Sequence, residues 1–209
     1  MSTLPKLFWG ILVVFATSWL GIVAYAYVGL GGLQPELSEE TGAMVPPPWP
    51  GTANLGQDVY AVNGCVTCHS QQVRPAPLFT DIARKLGTRQ TVPRDYLRTT
   101  SPFLGTQRIG SDLSNVGLRQ TEAAYFYRVL YEPSVVLPGS NMPAYRYLFE
   151  ERQIAGESSD LAVDVKGKWQ PRPGYEIVPT KQAEDLVGYL MSLKRDYPLP
   201  EAPAVAEEE

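Results

Sequence analysis

Histidine and cysteine are the rarest metal-binding residue types in this chain of 209 residues, which has one histidine and two cysteines. All three lie within five positions, as Cys65, Cys68 and His69 in the stretch GCVTCHSQQVRP. A zinc site needs about four such ligands, so zinc is excluded. A disulfide between the two cysteines would close too small a loop to stabilise a domain. A thioredoxin-like redox site needs a βαβ frame, which the sequence does not indicate.

The chain also lacks an excess of basic residues. Its formal net charge is -4, with 18 Lys and Arg against 22 Asp and Glu. Binding to phosphate backbones requires a basic surface, so no nucleic-acid partner is expected. The 19 prolines and 18 glycines predict a small, mostly α-helical domain with long loops.

The stretch from Leu7 to Leu30 has no Asp, Glu, Lys or Arg. At ~1.5 Å rise per residue it is long enough to cross the ~30 Å hydrocarbon core as one transmembrane helix. The alternative is a cleaved signal peptide, whose apolar region is usually only ~7–15 residues long. Aromatic residues of the kind that anchor helices at membrane interfaces favour a retained span; they are Trp9, Trp19, Tyr25 and Tyr27.

The flanking charges predict the orientation of this span. Lys6 and the terminal amine precede it, whereas Glu36, Glu39 and Glu40 follow it. The positive-inside rule then places the N-terminus in the cytoplasm and the rest of the chain outside.

Composition divides the chain into four parts. We expect a transmembrane anchor over 1–33, a proline-rich linker over 34–53, a folded domain over 54–199, and a disordered acidic tail over 200–209.

Helical spacing and capping residues predict three helices in the domain. They cover Asn54 to Val62, Thr121 to Tyr131 before Pro133, and Thr180 to Arg195, each starting at a capping residue. The segment 150–179 is expected to form a loop or a small hairpin.

The spacing C-x-x-C-H is the attachment signature of c-type haem. Two thiols on one turn can add to the two vinyl groups of a haem, and the adjacent histidine can bind the iron. The sequence therefore predicts one covalently attached haem c, held by Cys65 and Cys68 with His69 as an axial ligand.

The second axial ligand cannot be another histidine, because the chain has only one. Of the four methionines, Met1 precedes the span, Met44 lies in the linker, and Met191 lies on the last predicted helix. Met142 lies in LPGSNMPAY, where prolines and a glycine predict a rigid loop, and it is the preferred ligand. Histidine and methionine together fill both axial positions and raise the potential, which favours electron transfer over catalysis at this iron.

The short helix, C-x-x-C-H, the Met-Pro loop and the final helix EDLVGYLMSLK together resemble a class I cytochrome c domain. In that fold the first and last helices cross and pack. Candidates for this crossing here are Gly56, Tyr60, Tyr189 and Leu190.

A closer resemblance extends from the haem segment. GCVTCHSQQVRP is similar to the segment Gly-Cys-x-x-Cys-His-Ser-Gln-x-x-Arg-Pro of the mono-haem subunit II of cbb3-type cytochrome c oxidases. RIGSDLSNVGLR resembles that family's Gly-Pro-Asp-Leu segment. Ser111 replaces its proline, whose carbonyl often accepts the histidine Nδ1–H, and we expect the serine carbonyl to do the same. VVLPGSNMPAY resembles its methionine loop, after which Arg146 and Tyr147 stand where the family often has Pro-Trp.

The resemblance implies an electron-transfer subunit with no substrate chemistry at its own haem. Its partners would be a catalytic haem–copper subunit, other membrane subunits and a cytochrome donor. It would lie in the bacterial inner membrane, with its haem domain in the periplasm. Arg74 is a candidate to pair with a haem propionate, and Arg108 and Arg119 are weaker candidates. Open alternatives are a tethered cytochrome shuttle, a cytochrome of another respiratory or photosynthetic complex, and an enzyme or ligand sensor with an open distal site.

Overall fold

The computed structural model describes residues 3–205, and helices are its main elements. The first helix, α1 (Thr3–Leu30), is long and apolar enough to cross a membrane, and none of its residues is buried. One π-helical turn, Leu20–Ala24, interrupts its α-helical bonding. A continuous apolar helix that is exposed along its length suggests a membrane anchor, as the sequence predicts.

The linker after α1 lies along the domain. Two short antiparallel strands, β1 (Glu36–Leu37) and β2 (Met44–Val45), form a two-residue ladder within it. Val45 is buried, and the ring of Trp49 packs edge-on against Tyr189 with 5.4 Å between ring centres.

The domain that follows is mostly helical, with one hairpin. Its elements in chain order are α2 (Gly51–Val62), α3 (Val116–Arg119), α4 (Ala123–Tyr131), α5 (Pro133–Val136), β3 (Phe149–Gln153), β4 (Tyr175–Pro179) and α6 (Lys181–Ser192). Single 3-10 turns occur at Cys65–Thr67, Pro93–Tyr96, Arg146–Leu148 and Gly167–Trp169.

Helices α2 and α6 cross at Gly56, which confirms the expected packing of the first and last helices. A β-carbon placed on Gly56 would lie 1.9 Å from the Asp185 carbonyl oxygen, so only glycine permits this approach. Beside the crossing, the rings of Tyr60 and Tyr189 stand 5.4 Å apart, and both are buried. Leu190 is also buried in the core.

The helix starts differ from the predicted caps at two of three places. α2 begins at Gly51 after Pro50 rather than at Asn54, because the proline fixes extended backbone immediately before the first turn. α4 begins at Ala123, two residues after Thr121. The cap at Thr180 is confirmed, since its hydroxyl accepts the Ala183 N–H at 3.4 Å.

The segment 150–179 forms the small hairpin that the sequence allowed. β3 pairs antiparallel with β4, with Phe149 opposite Pro179 and Gln153 opposite Tyr175. The inward-facing part joins the main core, because Phe149 and Ile177 are buried in the same cluster as Leu186 and Leu190 of α6.

The C-terminal segment continues along the domain past residue 200. Leu199 and Ala202 are buried, and the Val205 N–H donates to the Thr88 carbonyl at 2.9 Å. Residues 200–205 are therefore not the start of a disordered tail, and residues 206–209 of the predicted tail lie outside the described residues.

Candidate haem-binding site

The C-x-x-C-H segment forms a tight turn directly after α2. Gly64 takes a left-handed conformation, with φ of 67°, and turns the chain out of the helix. The Cys68 and His69 N–H groups both donate to the Cys65 carbonyl, at 3.2 and 3.0 Å. Both cysteines are free, half-buried thiols, so this turn holds two available sulfur atoms and an imidazole.

His69 is held in one tautomer. Its Nδ1 lies 2.7 Å from the Ser111 carbonyl oxygen, which can only accept, so the proton of the neutral ring is on Nδ1. The unprotonated Nε2 is then the nitrogen available to a metal. The serine carbonyl therefore takes the place of the proline carbonyl in the resembled family, as expected.

The segment 104–111 encloses His69 through two glycines. A β-carbon on Gly110 would lie 2.3 Å from the imidazole Cε1 of His69, and one on Gly105 would lie 2.6 Å from its carbonyl oxygen. Side chains at either position would displace the imidazole or its backbone. The RIGSDL segment is thus fitted to the histidine ring.

The loop with Met142 lies against the C-x-x-C-H turn. Tyr145 of this loop and Cys65 of the turn pack against the same core cluster, and the Tyr147 hydroxyl donates to the Asn63 side-chain oxygen. Met142 itself is half-buried and packs against the core cluster that also receives Cys65. The bond from Tyr147 to Asn63 thus joins, at the predicted site, two segments that are 84 residues apart in sequence.

The other methionines have different surroundings. Met44 lies in β2 opposite Leu37 and is 43% exposed. Met191 packs against the core from α6, and its backbone passes close to Gly117. Met1 lies outside the described residues.

Burial raises the pKa values of two neighbouring groups at this site, Cys65 and Tyr145. Burial raises the pKa of the Cys65 thiol to about 11, although the neighbouring Tyr145 side chain opposes the rise. Burial likewise raises the pKa of Tyr145 to about 12. Both groups are therefore neutral at physiological pH before haem attachment.

The residues after His69 tie the turn to the rest of the domain. The Ser70 hydroxyl donates to the Asp112 carboxylate at 2.6 Å, and Asp112 also accepts the Gln72 N–H at 2.8 Å. The side-chain amide of Gln71 donates to the Tyr189 hydroxyl on α6 at 2.9 Å. Ser70, Gln71 and Asp112 are buried, so these bonds satisfy polar groups that water does not reach.

Arg74 has a carboxylate partner within the chain. Its Nε lies 3.2 Å from Asp81, and its guanidinium stacks on the ring of Phe79 at 4.1 Å. Arg108 binds the same carboxylate and also donates to Ser70 at 2.6 Å. The interaction of Arg74 with a haem propionate stays a prediction. Arg119 donates to backbone carbonyls of Leu86 and Asp112.

Sequence reasoning missed the residues that support the turn from a distance. Asp112 had a weak signal, since it lies in the GSDL segment beside Ser111. No sequence pattern indicated Asp81, because it lies in a loop of ordinary composition without a recognisable motif. Tyr189 was expected at the crossing of the first and last helices, and its hydrogen bond to Gln71 was not foreseen.

These observations fit a covalently bound haem. The turn offers two free thiols and a histidine whose Nε2 is available, and the segment after Met142 is joined to the residues just before the turn by the bond from Tyr147 to Asn63. Within residues 3–205 there is no group of three or more His, Cys, Asp or Glu that could hold a metal ion. Two thiols, an imidazole and a thioether are the donor set that a covalently bound haem would use.

Comparison with known proteins identifies the family. Residues 18–168 match the family described as "Cytochrome C oxidase, mono-heme subunit/FixO". Comparison with curated proteins finds no match. The matched range includes the C-terminal part of α1, the C-x-x-C-H turn, the RIGSDL segment and the Met142 loop, and it ends before β4 and α6. The chain therefore belongs to the family of mono-haem subunits of cbb3-type cytochrome c oxidases, and it is a haem-containing electron-transfer subunit.

Proposed function

We propose that the chain carries one haem c, bound covalently through Cys65 and Cys68, with His69 and Met142 as axial ligands. The observation that carries this proposal is the hydrogen bond from the Tyr147 hydroxyl to Asn63, which joins the segment after Met142 to the end of α2 directly before the C-x-x-C-H turn. The haem would supply the one-electron redox couple of the subunit, held by these four residues. The protein's own part is to hold His69 in one tautomer through Ser111 and to present the thioether.

We also propose that α1 crosses the bacterial inner membrane once, with the N-terminus in the cytoplasm and the haem domain in the periplasm. Support comes from Lys6 before the apolar stretch and three glutamates after it. A c-type haem domain on the outer side is then reached by periplasmic electron donors.

Electrons would enter from a cytochrome donor and leave toward the catalytic haem–copper subunit, where oxygen is reduced. The docked linker supports a fixed position within the complex rather than long-range shuttling. Trp49 packs on Tyr189 and Val45 is buried, so the linker does not behave as a free coil. The exposed apolar surface of α1 would then pack against lipid and the other membrane subunits.

Purification of the full chain through a C-terminal tag in mild detergent tests the assignment to an oxidase. We expect b-type haem, a large hydrophobic chain and oxygen consumption to co-purify with the c-type haem. A lone haem-bearing chain would contradict the position proposed within the complex.

The same preparation tests the axial ligand. In Met142→Ala the haem should stay attached, because Cys65 and Cys68 remain, but the ferrous form should bind carbon monoxide and the potential should fall. Met44→Leu is the matched control, since Met44 lies exposed in the linker ladder, and it should behave as wild type. An unchanged spectrum without carbon monoxide binding in Met142→Ala would exclude Met142 as the ligand.

A further inference from the structure

The loop that holds Met142 is closed at its two ends by an ion pair. Arg146 donates through Nη2 to Glu132, and the Ser134 hydroxyl donates to the other oxygen of the same carboxylate. Glu132 is only 6% exposed. Burial alone would raise the pKa of Glu132, but the hydrogen bonds from Ser134 and Arg146 lower it, so the carboxylate is charged. Residues 133–145, including Met142, lie between the paired side chains.

The third member of this arrangement comes from the hairpin region. The Arg146 guanidinium carbon lies 3.5 Å from the centre of the Trp169 ring, in cation–π contact. Trp169 ends the 3-10 turn Gly167–Trp169, between β3 and β4. This contact gives a role to a segment that the electron-transfer function does not otherwise use. It also explains why arginine is accommodated where the resembled family often has proline.

Backbone bonds fix the same loop ends. The Tyr145 N–H donates to the Leu130 carbonyl at the end of α4 at 2.8 Å. On the other side, the Leu137 N–H donates to the Pro133 carbonyl at 2.9 Å and closes α5. Within the loop, the Met142 N–H donates to Ser140 at 3.2 Å. The loop's internal bonds are few, so its position depends on its ends.

We propose that Glu132, Arg146 and Trp169 form a clasp that positions the Met142 loop, and that they are positioning residues for the sixth ligand of the haem. The proposal rests on the proposed function, because it requires Met142 to be that ligand. A thioether is a weak metal ligand. How long the Met142 sulfur stays bound to the iron therefore depends on the loop that presents it. Opening the clasp would increase the fraction of time that Met142 is away from the iron.

The test measures how fast the ferrous haem of the full-length protein binds carbon monoxide, which requires Met142 to leave. Arg146→Gln removes the charge and the fork that binds Glu132. Trp169→Leu removes the aromatic face but leaves the ion pair, so a folding defect from an unpaired Glu132 is avoided. We expect binding to become roughly tenfold faster in Arg146→Gln, and by a smaller factor in Trp169→Leu. Trp169→Phe should restore much of the wild-type rate.

Arg172 offers a matched control in the same hairpin. It pairs with Glu151 at 3.1 Å and stacks on Tyr175 at 4.2 Å, but it does not join the ends of the Met142 loop. Arg172→Gln should therefore bind carbon monoxide at the wild-type rate. A general loosening of the hairpin would instead accelerate binding in this variant as well, and that result would overturn the proposal.

Two outcomes separate this proposal from the ligand assignment. If Met142→Ala opens the sixth position while Arg146→Gln and Trp169→Leu bind carbon monoxide like wild type, the ligand is right and the clasp is wrong. If Met142→Ala leaves the haem spectrum unchanged, the ligand assignment fails and the clasp proposal fails with it.

Discussion

At the scale of single residues, Gln71 connects the haem-binding turn to three separate parts of the chain. Its side chain bonds with the Tyr189 hydroxyl on α6, and its oxygen accepts from Arg195 at 3.1 Å. Its backbone carbonyl accepts the Tyr96 hydroxyl at 2.7 Å. Because Gln71 is fully buried, each lost bond would leave a polar group without water. The position two residues after His69 is thus as fixed as the turn itself.

Asp81 has the corresponding role for the arginines. Its carboxylate is fully buried and accepts from Arg74 and Arg108. Asp81→Asn should destabilise the domain by about 2–4 kcal/mol, somewhat less than loss of a deeply buried pair, because Arg74 remains a third exposed. Denaturant unfolding of the purified protein measures this. The control is Glu151→Gln, which breaks an exposed pair and should cost much less stability than Asp81→Asn.

The pH dependence of this difference has a definite sign. Burial by itself would raise the pKa of Asp81, but hydrogen bonds from Arg108 and Arg74 outweigh it and hold the pKa well below its usual range. The stability that the charged carboxylate supplies is therefore fully present above its unfolded pKa of about 3.9 and is lost as the pH falls below it. The difference between wild type and Asp81→Asn should stay constant between neutral pH and about pH 5, and then shrink. A difference that grew on acidification would contradict the pairing.

The sequence predicted the ligand-bearing residues of the candidate site but few of the residues that support them. Cys65, Cys68 and His69 follow from spacing, and the interaction of His69 with Ser111 follows from the family resemblance. The carboxylate of Asp81 comes from a loop without periodicity, so only the folded chain reveals its position. The same holds for the pair of Glu132 and Arg146, whose charges carry no local pattern.

At the scale of elements, the crossing of α2 and α6 fixes the frame of the domain. Its two glycines differ sharply in surroundings. A β-carbon on Gly56 would overlap the Asp185 carbonyl oxygen at 1.9 Å, whereas one on Gly188 would lie 3.4 Å from the Thr52 hydroxyl, an ordinary contact. The backbone at Gly56 therefore has no room to yield.

Gly56→Ala should destabilise the domain by about 3 kcal/mol, because the helices must separate to admit the methyl group. Gly188→Ala is the matched control on the partner helix, and its better helix propensity should leave stability unchanged or raise it by up to about 1 kcal/mol. Thermal unfolding followed by circular dichroism compares the two. Equal effects of both substitutions would show that Gly56 is not a special point of the crossing.

The sequence predicted that these helices exist, but it predicted the start of only one of them correctly. Apolar spacing predicted α2, α4 and α6, since each buries one face. Capping residues predicted the start of α6 correctly, because Thr180 follows a strand and its hydroxyl accepts the Ala183 N–H. The capping pattern indicated a start of α2 at Asn54. The helix starts instead at Gly51, three residues earlier, because Pro50 fixes an extended backbone directly before it.

At the scale of the whole molecule, the linker determines how the membrane anchor relates to the haem domain. Its two-residue ladder is too short to be stable alone. It depends on contacts with the domain: Val45 is buried, Trp49 packs on Tyr189, and Arg94 lies 3.5 Å from Glu36. A linker held in this way supports the proposed fixed position of the chain within the complex.

Trp49→Ala should release the linker without changing the haem site. It removes the half-buried ring that packs on Tyr189, so the amides of the β1–β2 ladder, including Ser38, should exchange with deuterium on the order of tenfold faster. The haem spectrum should not change, while electron transfer to the catalytic subunit should slow as the domain gains freedom. Leu55→Ala, at an exposed position of α2, should change neither exchange nor transfer. If linker exchange rose but transfer kept its rate, contacts with the partner subunits rather than the linker would position the domain.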